Sequence, residues 1–180
     1  MAGVWYFAYG SNMSTSTFRG RRGIEFGRAL AARAPGWRLV LDKPGVVPVG
    51  ESFANLVPAP DGEAFGVLYE ISEDDLAHVD LTEGVLIDNY QRIAIAVHPL
   101  AVTANEVVAF TLVSDRHDES LQPSERYMAC LIAGAEEHGL PARYVEFLRG
   151  VQARPTSAEA AQWQPVVDEV LRRRSPEVKR

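Results

Sequence analysis

The sequence changes character near residue 115, and this change constrains the fold more than any other feature. Before it, short apolar segments alternate with turn sequences such as "DKPG" and "PAPDG", a spacing typical of short strands in a curled sheet or barrel. After residue 120, apolar residues recur every three or four positions, which is the period of an amphipathic helix. The pattern therefore predicts a curled sheet or barrel followed by helices.

Several segments of the first part are predicted to be strands, because they are short, rich in aromatic and β-branched residues and flanked by turn signals. They are Val4–Tyr9, Trp37–Leu41, Phe53–Val57, Phe65–Ile71, Tyr90–Val97 and Glu106–Val113. Turns are predicted at 42–45 and 58–62. One helix interrupts the strands. It begins after Ser72 with acidic residues in its first turn, and we expect it to run to about Thr82 and to end near Gly84.

Helices are predicted throughout the C-terminal part, 120–175. The first has an apolar stripe around Tyr127 and ends at Gly139, and Pro141 suits the first turn of the next. A third is predicted over Ala158–Arg174 with an interruption at Pro165. We expect one domain, residues 1–180, in which this helical part packs on the sheet or barrel.

The composition limits the classes of function. The 180 residues carry a formal net charge of −6 and one cysteine. The negative charge argues against nucleic acid and anionic membranes as partners, since both need a basic face. A single cysteine allows no internal disulfide, which suits a reducing cytoplasm. The sequence shows neither a signal peptide nor an apolar run long enough to span a membrane, and a cytoplasmic location is expected.

The N-terminal segment "YFAYGSNM", residues 6–13, joins an apolar strand to Gly10, Ser11 and Asn12. We expect Gly10 to take positive φ, which Asn12 also tolerates. Such a turn exposes backbone N–H groups that can bind a carboxylate or phosphate. The alternative is a structural turn in which Ser11 or Asn12 caps a short helix beginning at Ser14. The sequence is not a nucleophile elbow, so Ser11 is a poor candidate for a nucleophile.

Glu83 stands at the predicted C-terminal end of the helix, directly before Gly84. A carboxylate there faces the negative end of the helix dipole, which costs about 0.3–1 kcal/mol. A residue that violates a local rule in this way marks a candidate functional position. The alternative is a solvated surface glutamate without a function.

The later strand "NYQRIAIAV" alternates between two faces. Ile93, Ile95 and Val97 lie on the face that suits a core, so Tyr90 and Arg92 share the other face, which lines a cavity or meets solvent.

No metal site is predicted. His78, His98, His117 and His138 are scattered without ligand spacing, and Cys130 is expected to be a core residue of its helix. We therefore expect no metal and no cofactor.

Taken together, these segments resemble the γ-glutamylcyclotransferase family. "YFAYGSNM" is similar to the opening signature of that family, and "VDLTEG" is similar to its acidic segment, in which Asp and two variable residues precede Glu-Gly. Between them, "ANLVPAPDGEAFGVLYEIS" resembles the strand, turn and strand that lead to the helix. "PSERYMACLIAGAEEHGLPARYVEFL" resembles the helical region of the eukaryotic enzymes. The resemblance covers roughly residues 4–152, and its specificity comes from four motifs in the same order.

The resemblance implies an α+β fold with a mixed, mostly antiparallel β-barrel flanked by helices. It implies a lyase-class enzyme that cleaves a γ-glutamyl amide into 5-oxoproline and a free amino acid or amine, with one glutamate as general acid and base and no cofactor. Carried over to this sequence, Glu83 is the acid/base. The substrate-binding residues are Tyr6, Phe7, Ala8, Tyr9, Gly10, Ser11, Asn12, Tyr90 and Tyr127. A homodimer is compatible with this expectation.

Residues 19–34 depart from the family pattern. The Arg-Cys-Pro that often follows the opening signature in bacterial members is replaced by "FRGRRGIEFGRALAAR", so the role of this segment at the rim of the pocket is open. The leaving group is open as well. One alternative is an enzyme that removes a γ-glutamyl blocking group in a particular pathway. Another is a relative that binds a small molecule without turnover.

Overall fold

The computed structural model describes residues 3–46, 49–101 and 105–172. Within these ranges the strands are β1 (Val4–Ala8), β2 (Ala29–Pro44), β3 (Ser52–Ile71), β4 (Gln91–Pro99) and β5 (Val107–Val113). The α-helices are α1 (Glu73–Glu83), α2 (Glu125–Glu137), α3 (Ala142–Arg149) and α4 (Ala158–Leu171). Short 3-10 turns at Ser11–Met13 and Val85–Ile87 and a π-helical turn at Ser16–Arg21 complete the helical elements of the described ranges.

The described strands close into a barrel in the order β1-β3-β2-β4-β5. The contact between β1 and β5 is parallel, with Tyr6 opposite Phe110, and the other pairs are antiparallel. The expected α+β fold with a mixed, mostly antiparallel barrel flanked by helices is confirmed. The barrel has a single parallel seam among the pairs described, so the N-terminal strand closes the sheet against the last one.

The predicted turn at 58–62 lies inside β3, which runs through 52–71. Residues 59–62 have no partner on β2, because the register jumps from Pro35 opposite Glu63 to Trp37 opposite Pro58. A Cβ at Gly62 would lie 2.7 Å from Ala59 Cβ, so the chain folds back here as a bulge and does not separate two strands. β2 is also longer than expected and pairs with β3 over most of its length, with an irregularity between Pro35 and Trp37. Gly36 takes φ +78° there and absorbs the change in register. Pro58 is tolerated because β1 covers only residues 67–71 of β3, so that Pro58 needs no hydrogen-bond partner on that side.

Helix α1 forms as the sequence predicts. The Ser72 hydroxyl accepts a hydrogen bond of 3.0 Å from the Asp75 backbone N–H, which caps the N-terminus. Gly84 ends the helix in the left-handed conformation, with φ 74° and ψ 36°. Glu83 is therefore the last helical residue. Asn89 fixes this end further, because its side-chain amide donates to the Glu83 carbonyl oxygen at 2.9 Å.

Helix α2 holds the segment that follows β1 in place. A side chain at Gly134 would put its Cβ only 2.6 Å from the Ser14 nitrogen, so a glycine is needed where α2 crosses this segment. The Tyr69 hydroxyl of β3 donates to the Met13 carbonyl oxygen at 2.7 Å. The Ser11–Met13 turn is thus clamped between α2 and the barrel.

Helix α4 continues through Pro165, which differs from the predicted interruption. Side chains support the helix at this point. Arg126 donates to the Gln164 side-chain oxygen at 2.8 Å, and Gln164 donates to Asp168 at 2.6 Å. These contacts compensate in part for the backbone hydrogen bond that a proline cannot make. The predicted end of this helix at Arg174 lies outside the described residues.

Candidate active site

The turn after β1 differs from the expected positive-φ nest. Gly10 has φ −109° and ψ −147°, and neither Ser11 nor Asn12 provides a side-chain cap for the short helices. The Met13 N–H instead donates to the Gly10 carbonyl oxygen at 3.0 Å, which closes a 3-10 turn. A side chain at Gly10 would be crowded, because its Cβ would lie 3.1 Å from Tyr127 Oη and 3.4 Å from Ala54 Cβ.

Glu83 meets this turn at the end of α1. Asn12 Nδ2 donates to Glu83 Oε1 at 3.0 Å, and Arg22 Nη2 lies 4.0 Å from the same oxygen. The Glu83 side chain is 18% exposed. Its carboxylate is thus turned toward the N-terminal turn and away from bulk solvent, which argues against a solvated surface glutamate.

A chamber of about 40 Å³ lies beside this carboxylate. The residues that line it come from β1, the turn after it, β3, the end of α1, the position before β4, β5 and α2. They are Tyr6, Tyr9, Gly10, Ser11, Asn12, Ala54, Glu83, Tyr90, Leu112 and Tyr127. The structure therefore brings together most of the site residues that the sequence suggested, from positions as far apart as 6 and 127.

Phe7 and Ala8 do not line this chamber. Both belong to the buried core of the barrel, where Phe7 packs close to Gly66 of β3. Phe7 lies on the face of β1 opposite to Tyr6, because neighbouring side chains of a strand point to opposite faces. The small Ala8 side chain is buried without reaching the cavity. Neither residue has the position of a substrate contact.

The four tyrosines of the chamber fall into two pairs by their hydrogen bonds. The Tyr9 hydroxyl donates to the Leu112 carbonyl oxygen at 2.5 Å, and the Tyr90 hydroxyl donates to the Ala54 carbonyl oxygen at 2.8 Å. Tyr6 Oη accepts from Asn12 Nδ2 at 3.3 Å, and Tyr127 Oη accepts from the Ala54 backbone N–H at 3.0 Å. Tyr6 and Tyr127 thus receive hydrogen bonds, and their own protons remain available to donate.

These hydroxyls stay protonated at neutral pH. Burial raises the pKa of Tyr6, Tyr9, Tyr90 and Tyr127, and the negative charge of Glu83 raises the same pKa values further. The site therefore places one carboxylate among neutral hydrogen-bond donors in a desolvated environment.

A second cavity, of about 380 Å³, opens beside the chamber and shares Ser11, Glu83, Tyr90 and Tyr127 with it. Its walls carry charged residues that the sequence did not single out. They are Arg21, Arg22, Lys43, Glu51, Arg126 and Asp168. Arg21 and Arg22 lie in the segment 19–34, where the family pattern is not followed. No local sequence signal marked Arg21 and Arg22, because their proximity to Glu83 depends on how the π-helical turn packs on the barrel.

Lys43 is the most deeply buried cation of this cavity, with 1% of its surface exposed. Its ammonium group donates to the Asn89 side-chain oxygen and to the Pro44 carbonyl oxygen, and it lies 4.4 Å from the centre of the Tyr90 ring. Burial lowers the pKa of Lys43 to about 8, Arg116 acts in the same direction, and Glu83 opposes the change. Through Asn89, Lys43 supports the end of α1 that carries Glu83.

Cys130 differs from the expected core residue. It is partly exposed and lines the larger cavity, where Arg21 Nη2 lies 3.2 Å from its sulfur. Arg92 lies outside the site, because it pairs with Asp80 at 2.7 Å and packs over the Phe110 ring.

Across the described residues, no three His, Cys, Asp or Glu side chains are arranged to hold a metal ion. Among the helices of these ranges, none has the length and apolar character needed to cross a bilayer.

Known proteins resemble this chain in sequence and in fold. The model of the AIG2-like family matches residues 63–148. The γ-glutamyl cyclotransferase aclK of Aspergillus oryzae is 32% identical over 166 residues, which cover 81% of this chain. The human γ-glutamylcyclotransferase is 25% identical over 161 residues, which cover 82% of this chain and 78% of the human protein. This chain spans only 60% of the length of the Aspergillus protein.

A solved structure of a γ-glutamyl cyclotransferase has the same fold, with a TM-score of 0.76 at 23% identity over 93% of this chain and 99% of that chain. The closed mixed barrel, with a glutamate and tyrosines around one chamber, thus defines a protein of the γ-glutamyl cyclotransferase fold. In sequence as well as in fold, the chain is similar to γ-glutamylcyclotransferases.

Proposed function

We propose that this protein is a cyclotransferase that converts γ-glutamyl amino acids or amines to 5-oxoproline and the free amino acid or amine. The observation that carries the proposal is the Glu83 carboxylate, held by Asn12 Nδ2 at 3.0 Å on the wall of a chamber lined by tyrosines. The names of the Aspergillus and human relatives support the same activity.

The reaction needs one group that can first accept and then donate a proton. The α-amine of the glutamyl group attacks its own γ-carbonyl carbon, so that a new C–N bond closes the five-membered ring. A free α-amine has a pKa of about 8 and is mostly protonated at neutral pH. Glu83 accepts a proton from the attacking nitrogen and delivers one to the departing nitrogen as the original amide bond breaks. Atoms balance without water, metal or cofactor.

Tyr6 and Tyr127 are proposed to donate hydrogen bonds to the substrate. Their protons are not used by the hydrogen bonds that their oxygens accept, and both residues line the chamber. Such neutral donors stabilise the negative charge that develops on the γ-carbonyl oxygen. Tyr9 and Tyr90 use their protons on backbone carbonyls, so they shape the chamber.

Asn12 is proposed to hold both partners of the proton transfer. Its Nδ2 donates to Glu83. Its Oδ1 is buried and has no hydrogen-bond partner within the described ranges, so it is free to accept from the substrate amine. An unpaired buried acceptor is costly in the empty site and is satisfied when a donor binds. Because the attack is intramolecular, holding the substrate in a folded conformation supplies much of the acceleration.

The two spaces differ in size, and each is proposed to hold a different part of the substrate. The chamber of about 40 Å³ suits the reacting end of the glutamyl group, and the adjoining cavity of about 380 Å³ suits the leaving group. An enzyme that deblocks one γ-glutamyl amine in a particular pathway would use the same residues with a different fit in the larger cavity. A binding protein without turnover is disfavoured, since Glu83 and its Asn12 partner are both in place.

The test is an assay for 5-oxoproline with purified protein and a panel of substrates. The panel contains γ-glutamyl amino acids with small, large and charged side chains, γ-glutamyl amines and glutathione. Formation of 5-oxoproline together with an equal amount of the free amine supports the proposal. Release of glutamate in place of 5-oxoproline would mean hydrolysis, and no release from any compound would favour a binding protein.

A further inference from the structure

We propose that Arg22 is a specificity-determining residue that binds the α-carboxylate of the leaving amino acid and makes the enzyme prefer γ-glutamyl amino acids to γ-glutamyl amines. This inference rests on the proposed function and names a residue that recognises one part of its substrate.

Arg22 is held firmly at the edge of the site. It follows the π-helical turn Ser16–Arg21, and its N–H donates to the Thr17 carbonyl oxygen at 3.0 Å. His78 of α1 contacts the Arg22 carbonyl oxygen through Nε2 at 3.1 Å. The backbone of Arg22 is therefore tied to the same helix that ends in Glu83, which fixes the position of its side chain relative to the carboxylate.

The guanidinium of Arg22 has donors without acceptors. Its side chain is 16% exposed, and Nη2 lies 4.0 Å from Glu83 Oε1, beyond hydrogen-bond distance. In the part of the chain that the structure describes, Nε and Nη1 are buried and make no hydrogen bond. Unsatisfied donors on a charged group are costly to bury, so this arrangement suits an anionic acceptor that enters with the substrate.

The other described cations of the larger cavity already have acceptors. Arg21 contacts the Thr17 hydroxyl and Asp168. Arg126 donates to Gln164, and Lys43 donates to Asn89 and to the Pro44 carbonyl oxygen. Arg22 therefore differs from these neighbours in having buried donors that remain unused.

Covalent geometry places a carboxylate near Arg22. Glu83 must approach the departing nitrogen in order to protonate it. When the leaving group is an α-amino acid, N–Cα and Cα–C bonds of about 1.5 Å put its carboxylate carbon roughly 2.5 Å from that nitrogen. A carboxylate so close to the Glu83 site falls within the reach of a guanidinium 4.0 Å from Glu83 Oε1. A simple amine has no charge at that position.

The experiment compares γ-glutamyl-L-alanine with γ-glutamyl-L-alaninamide, which replaces the negative carboxylate by a neutral amide of similar shape. The enzymes are the wild type, Arg22→Gln and Arg22→Lys. Arg19→Gln is the control, because it also removes one positive charge from this part of the chain. Arg19 pairs with Glu25 at 3.0 Å and is not part of the cavity wall. The measured quantity is the ratio of kcat/KM for the acid to kcat/KM for the amide.

We expect the wild type to prefer the acid by roughly 10- to 100-fold, the difference that a charge-assisted hydrogen bond makes. Arg22→Gln should bring the ratio close to 1 while the amide is still converted, Arg22→Lys should keep part of the preference, and Arg19→Gln should keep it all. The inference is wrong if the wild type converts both compounds equally well, or if Arg22→Gln slows both by the same factor. If the wild type forms 5-oxoproline from neither compound, the proposed function itself is wrong.

Discussion

Asn12 Nδ2 donates a 3.0 Å hydrogen bond to Glu83 Oε1, although 71 positions separate the two residues in the sequence. The bond joins the turn after the first strand to the last residue of α1. It holds one oxygen of the Glu83 carboxylate in a fixed place. The Asn12 side chain lines the chamber, and its other polar atom, Oδ1, is buried. This pair is the basis of the proposed proton transfer.

Replacing Glu83 by Gln should leave a folded protein with very low turnover. An amide has nearly the same shape and can still accept from Asn12 through its oxygen, but it cannot accept the proton of the attacking amine. Loss of a general acid/base typically lowers the rate by about 10²- to 10⁴-fold. The checks are kcat/KM for 5-oxoproline formation and, for folding, the thermal unfolding midpoint. Turnover near the wild-type rate would remove Glu83 from the mechanism.

Three of the chamber tyrosines, Tyr6, Tyr90 and Tyr127, should respond differently to Phe substitution. Tyr6→Phe and Tyr127→Phe remove hydroxyls that are proposed to donate to substrate, so each should lower kcat/KM by about 10-fold or more. Tyr90→Phe leaves the Ala54 carbonyl oxygen without its donor and should mainly lower the free energy of unfolding, by about 1–3 kcal/mol. Steady-state kinetics and urea unfolding of all variants separate the two effects. Equal kinetic losses in Tyr90→Phe and Tyr127→Phe would contradict the division into pairs.

Gly10 should be intolerant of side chains because of space and not because of its dihedral angles. Gly10→Ala places a Cβ 3.1 Å from Tyr127 Oη, which pushes the tyrosine or the turn away from Glu83. Because a misplacement of about 1 Å can cost about 10²-fold, the smaller shift needed here should lower kcat/KM by roughly 3- to 10-fold, and Gly10→Val should be worse. Gly20→Ala is the control, since a Cβ there meets nothing within 4 Å. Wild-type kinetics for Gly10→Ala would show that the turn adapts freely.

The tyrosines should resist alkaline titration until the protein unfolds. The chain has six tyrosines, and burial raises the pKa of every one, at positions 6, 9, 69, 90, 127 and 144. A raised native pKa means that the native state keeps protons that the unfolded state loses above pH about 10. Their contribution to stability is therefore fully present below pH 10 and is lost as the pH rises.

This is measured by following tyrosinate absorbance and circular dichroism during the same alkaline titration. We expect the two signals to change together in one cooperative transition. Tyrosinate that forms while the circular dichroism is still native would show that the hydroxyls are accessible in the folded protein.

Lys43 should give stability a distinct dependence on pH. Its native pKa of about 8 lies below the ordinary value of 10.5, so between these values the unfolded state binds more protons than the native state, and stability rises with pH. Relative to Lys43→Met, the free energy of unfolding of the wild type should increase by about 1–2 kcal/mol from pH 7 to pH 9.5. Urea unfolding of both proteins at each pH measures this difference. A difference independent of pH would mean that Lys43 keeps its proton in the folded protein.

The sequence by itself determined those local elements that have strong sequence signals. The cap at Ser72, the end of α1 at Gly84 and the strand before Gly10 depend on hydrogen bonds and backbone preferences of neighbouring residues, and the structure contains all three. For the same reason Glu83 was identifiable, since its conflict with the helix dipole involves only its own helix. The family motifs then added residues from Tyr6 to Tyr127 to the expected site.

Only the tertiary structure decided which of these residues meet and what each can do. The sequence suggested that a turn at 58–62 separates two strands, but the segments on both sides of it pair with the long β2, so the turn becomes a bulge within β3. It also suggested positive φ at Gly10, whereas Gly10 has negative φ and the close approach of Tyr127 and Ala54 is what favours a glycine. The location in the cytoplasm and the homodimer stay predictions.

The larger cavity shows most clearly what the sequence alone does not predict. Arg22 and Lys43 carry no sequence motif, and they reach the Glu83 site only because the π-helical turn and the end of β2 pack around the end of α1. Contacts of this kind join residues that are distant along the chain, and they follow from the closure of the barrel and from burial. Local propensities, which act over a few residues, carry no information about them.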